Sequence, residues 1–152
     1  MPFDTPAQHF IFSTVRIEAS GPSGISTGTA FGFNHVLEKG IATFFVTNKH
    51  VIEGATDGTF FFTRAAGERP EHGPELGNRI NITVSNFARG WHGHPDPEVH
   101  IAVMSTGGIM TDLIAYGDRP YFRPLHSGML PTNEQLRATD AILHRLPERH
   151  LR

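Results

Sequence analysis

Short runs of aromatic and β-branched residues, each stopped by turn chemistry, constrain this chain more than any other feature. Phe10–Ala19 (FIFSTVRIEA) partly alternates around Val15 and Ile17, and Gly21-Pro22-Ser23-Gly24 then turns the chain. Ile25–Asn34 reads as a second strand, and Glu38-Lys39-Gly40 turns it into a third over Ile41–Asn48. Gly58–Arg64, the cleanly alternating Arg79–Phe87 and His100–Met104 complete the set. Six short strands at this spacing predict an all-β chain, a small antiparallel barrel. With 16 Gly, 11 Pro and 12 Phe in 152 residues, the composition is that of strands and turns rather than a helical bundle. Residues 65–78 and 88–99 read as loops, the second around Trp91. Helix is expected at Ile109–Tyr116 and at Thr132–Leu143, where Thr132 and Gln135 form a capping-box pair. In the run Phe60-Phe61-Phe62 strand alternation must turn one ring outward.

Residues 1–152 read as one domain, long enough to bury a core, without repeats or an interdomain linker. The formal charge of −2 supplies no basic stripe, which argues against a nucleic-acid partner. Ten histidines make that charge responsive to pH near neutrality. No run approaches the ~20 apolar residues of a membrane helix, so no membrane partner is expected. Met1–Ala19 lacks the basic start and apolar core of a signal peptide. With no cysteine in the chain, these features read as a cytoplasmic, bacterial protein. No cofactor motif stands out: Gly28 and Gly32 lack the helix and lysine of a phosphate cradle, and suggest a bulge or close backbone approach instead.

The chemistry concentrates in Phe44-Phe45-Val46-Thr47-Asn48-Lys49-His50-Val51-Ile52-Glu53-Gly54-Ala55. A strand that ends in a polar step and delivers one histidine to a short turn can present a general base to a cleft. Upstream, Ser26-Thr27-Gly28-Thr29-Ala30-Phe31-Gly32-Phe33 is a glycine-punctuated strand able to pair with it as a hairpin. Taken together, STGTAFGF and FFVTNKHVIEGA resemble the trypsin-like serine peptidases, chymotrypsin fold, bacterial type. The resemblance runs over residues 10–142 and covers the amino-terminal half of that fold. It implies a first six-stranded barrel at 10–104 carrying His50 as general base, with 105–142 beginning the crossover to a second barrel.

Such a peptidase needs a nucleophilic hydroxyl, a histidine to take its proton, and a carboxylate to orient the histidine. The family opens the strand after the second loop with Asp-Ile/Leu-Ala-Val, and here that position is His100. A neutral imidazole offers one acceptor and a protonated one repels a charged His50, so His100 does not replace the carboxylate. Asp96 and Glu98 are strained substitutes because Pro97 and strand alternation hold them away. The nucleophile's Gly-Asn/Asp-Ser-Gly segment does not occur in these residues, and Ser23 and Ser127 read as turn serines. The chain alone is therefore expected to be inactive, with a polypeptide substrate only for a complete enzyme. The basic ending 143–152 is expected to be a frameshifted tail, since codons read one base later permit Phe-Ile-Gly-Tyr-Pro, the strand and turn the family has there.

Two other readings remain open. One is a non-catalytic interaction module or pseudoprotease, self-associating through the barrel face that a partner barrel would cover. The other is a divalent-metal site at His92 and His94, near Asp96, Glu98 and His100. Against the metal, a solvated loop whose Trp91 packs on the barrel explains the same residues.

Overall fold

Glycine places the first two turns. Gly24 (φ 110°) and Gly40 (φ 150°) adopt a backbone conformation that other residues rarely reach. They join β1 (Thr14–Gly21), β2 (Gly24–Leu37) and β3 (Gly40–Asn48) into an antiparallel meander. This is a computed structural model, and it describes residues 5–143. After a short turn, β4 (Asp57–Ala65) returns to the free edge of β1, pairing Ser20 with Asp57 and Arg16 with Phe61. The spatial order β4-β1-β2-β3 is a Greek key. β5 (Pro74–Ser85) adds to β4, while β6 (His92–Gly93) and β7 (Ile101–Ser105) extend the β3 side. β8 (Leu125–His126) runs parallel to β2. Among the described residues four α-helices accompany the sheet: α1 (Pro6–Phe12), α2 (Lys49–Ile52), α3 (Gly107–Ala115) and α4 (Asn133–Leu143).

The sheet curls until strands three places apart in the ladder touch. Phe45 on β3 stacks on Phe60 of β4 with ring centroids 4.9 Å apart, although β1 and β2 lie between them in the ladder. Phe62, Phe87, Trp91 and Phe122 extend this aromatic core. Phe45, Phe60, Phe87, Ile17 and Leu113 are fully buried. Each such side chain contributes roughly 1.5–3 kcal/mol of apolar burial. Strand alternation divides Phe60-Phe61-Phe62 as expected: the outer two rings enter the core and Phe61 faces outward, half-buried. The β2 glycines mark close approaches. A Cβ on Gly28 would lie 2.7 Å from both methyls of Val51, and one on Gly32 would collide with the Phe122 ring.

The structure is antiparallel β as expected, but the six-stranded closed barrel is not what the ladders form. The sheet has eight strands, and its ends, β5 and β6, do not pair with each other. From β7 the chain passes directly into α3, whose Ile109 and Leu113 join the core while Asp112 and Tyr116 line a cleft against β5.

Three segment assignments change as well. Phe10–Phe12 belong to α1 rather than to the first strand, because Thr5 and Gln8 cap that helix reciprocally (3.3 and 3.2 Å) with Pro6 in its first turn. Strand β5 begins inside the expected 65–78 loop, after a register shift beside Thr63 and Arg64 and with Gly77 at φ 82°. In the second loop, His92 and Gly93 pair with β7. The expected Thr132–Gln135 box is present, at 3.1 and 2.8 Å. Residues 144–152, and with them the frameshift reading of the ending, lie outside the described residues. Among the described residues no helix is long and apolar enough to cross a membrane.

Candidate functional site around His50

Strand β3 ends at Asn48 and the chain folds at once into the single turn α2. Val51 and Ile52 sink into the core, so Lys49 and His50 on the same turn face outward. The turn is fastened at both ends. The Glu53 N–H donates to the Lys49 carbonyl (3.1 Å), and Ser26 Oγ on β2 donates to the Val51 carbonyl (3.4 Å). Gly54 adopts φ 70°, and its carbonyl lies so close to Gly21 that a Cβ there would collide with it. Small residues thus let the turn lie flat on the β1–β2 hairpin. His50 stands on the rim of an open cleft of about 220 Å³ that Ser20, Ser23, Ser26 and Glu53 also line.

His100 lies just before β7, on the surface. The ladder pairs Asn48 with Ile101, and the Lys49 N–H donates to the His100 carbonyl at 3.0 Å. The β3–β7 pairing therefore brings the two segments that carry His50 and His100 side by side. Their imidazoles make no hydrogen bond to each other, and no carboxylate bonds His50 among the described residues. Asp96 instead accepts from the Glu98 N–H (2.9 Å) and closes its own loop. Ser23 lies in the β1–β2 turn and lines the His50 cleft, whereas Ser127 starts a short 3₁₀ turn beside β8.

Lys49 carries a role that the sequence reading missed. Its ammonium donates to the carbonyls of His94 (2.7 Å) and Asp96 (3.3 Å) and so ties the 92–100 loop to the histidine turn. Its place immediately before His50 was visible, but nothing local tells which carbonyls a lysine reaches. Within that loop His94 Nδ1 accepts from the Asp96 N–H at 3.1 Å, while His92 sits on β6 opposite Val103. Among the described residues, no three His, Asp or Glu side chains form a group able to hold a metal ion. Trp91 packs against Phe60 and Phe87 with its Nε1 buried and without a hydrogen-bond partner.

Chemically, the arrangement offers one accessible imidazole on a rigid turn, beside a polar cleft with three serines and no orienting carboxylate bonded to it. The chain matches no protein-family model, no curated protein and no solved structure.

Proposed function

We propose that this chain is a first-barrel unit of the trypsin-like serine peptidase fold, with His50 in the general base's position, and that the 152 residues alone do not cleave peptides. The observation that carries the reading is His50 itself: exposed at the end of β3, on a turn anchored by Val51 and Ile52, beside a cleft. The Greek-key order of β4-β1-β2-β3 and the backbone contact between Lys49 and His100 support the family comparison. Inactivity follows from the chemistry of the base. Without a carboxylate bonded to it the imidazole is not held in the tautomer that a general base needs; such a loss costs about four orders of magnitude in turnover.

Two measurements test the two halves of this reading. An organophosphonate serine probe should leave the chain unlabelled; labelling that disappears in His50→Ala would refute inactivity. Restoring the carboxylate with His100→Asp should fix His50 as the tautomer protonated on Nδ1, seen in ¹⁵N imidazole spectra. Unchanged His50 signals in that variant would remove the family assignment, because Asp at the family's position must reach the base.

The interaction-module reading draws on a different surface. Val36 and Ile41, opposite each other near the β2–β3 turn, are 61% and 63% exposed. Concentration-dependent association by sedimentation, abolished by Ile41→Lys, would favour it; a monomer at all concentrations would exclude self-association.

A further inference from the structure

A second cleft, of about 220 Å³, opens on the outer face of β1, β4 and β5. It shares no lining residue with the His50 cleft and lies toward the other end of β1: it borders Arg16 and Phe61, and the His50 cleft borders Ser20 and Gly21. Ladder register builds its floor and walls. Arg16 stands opposite Phe61 on one side, and Thr63 stands opposite Arg79 on the other. Ile11 and Tyr121 close the end.

Its two guanidinium groups are not equivalent. Arg16 lies 5.5 Å over the Phe61 ring and is already paired with Glu18 at 2.6 Å. Arg79 forms neither an ion pair nor a side-chain hydrogen bond among the described residues. Glu18, the nearest competing carboxylate along β1, faces Thr59 in the ladder and does not line the cleft. One unmatched positive charge, Arg79, therefore lines the same cleft as a half-buried aromatic ring, Phe61, one face of which Arg16 covers. A planar fork of N–H donors matches a carboxylate, and the ring and Ile11 match an apolar body. The volume falls below the ~300–1,000 Å³ of sites for drug-sized ligands.

From this juxtaposition we propose that the outer cleft binds a small organic acid, a single carboxylate on a planar apolar body, with Arg79 reading the charge and Phe61 the ring. The site is independent of the His50 reading. Its test is a titration of the full chain with benzoate, followed by ¹H–¹⁵N amide shifts. Saturable shifts are expected near residues 14–16, 61–63, 79 and 121, with Kd on the order of 1 mM. Benzyl alcohol, which keeps the ring and lacks the charge, should bind about tenfold more weakly. Arg79→Gln should bring benzoate down to the level of the alcohol and leave the alcohol unchanged. Phe61→Thr should weaken both compounds alike. Three results would overturn the proposal: no saturation by about 20 mM, a scale set by the expected affinity; equal binding of the two compounds; or benzoate binding indifferent to Arg79→Gln.

Discussion

The aromatic core and the His50 turn meet along one strand, β3, yet different forces hold them. Phe45 on β3 is fully buried against Phe60 on β4, and Phe62 and Phe122 pack around it. Five residues later His50 is exposed, and its turn is held by backbone hydrogen bonds, two buried aliphatic side chains and the reach of Lys49. Burial makes the first region energetically expensive to change. The second is cheap to change and chemically available, as functional segments displayed on a rigid scaffold commonly are.

Substitutions across the two regions can break or sharpen this contrast. Phe60→Ala should have the largest effect, a loss of about 3–5 kcal/mol and a fall in Tm on the order of 10 °C. A change below 1 kcal/mol in chemical denaturation would mean that the core is not packed as described. Gly28→Ala links the regions, since its Cβ would press on the stiff, buried Val51 that anchors the histidine turn. It should cost about 1–3 kcal/mol and move the amide resonances of Lys49–Glu53. Removing the ammonium with Lys49→Met should lower stability by under about 1 kcal/mol, while hydrogen exchange quickens across the 92–100 loop. Unaltered exchange there would show that the lysine does not tie the loop. His50→Ala should change stability by no more than about 0.5 kcal/mol, because the imidazole neither packs nor bonds. A large loss would place His50 in the structural class with Phe60.

Features encoded by neighbouring residues were legible in the sequence. The strand from Arg79 alternates apolar and polar residues, and it pairs as a strand. The glycines of β2 anticipated close approach, and both Gly28 and Gly32 meet side chains that leave no room for a Cβ. The Thr132–Gln135 cap was readable because its two partners are three residues apart. The same spacing at Thr5 and Gln8 caps α1, and the aromatic residues that follow it have strand propensity, so the local cap overrides the intrinsic preference of Phe10 and Phe12. The candidate site was legible only as positions: His50 and His100 lie on adjacent backbone segments, but nothing in the motif indicated that Lys49 would tie the loop or that Asp96 would close its own turn.

What the sequence determined by itself is the alternation of strands and turns, the outward placement of one ring in Phe60-Phe61-Phe62, and the delivery of His50 to a turn whose next two residues are apolar. These follow from the two-residue period of a strand and the conformational freedom of glycine, both local properties of the chain. Only the tertiary structure decided that the ends of the sheet stay unpaired while α3 adds Ile109 and Leu113 to the core, and that Arg79 comes to border the same cleft as Phe61. Such outcomes depend on which distant strands share a ladder and in which register. The sheet's curl and the volume of buried side chains fix that choice together, and no short window of sequence contains either.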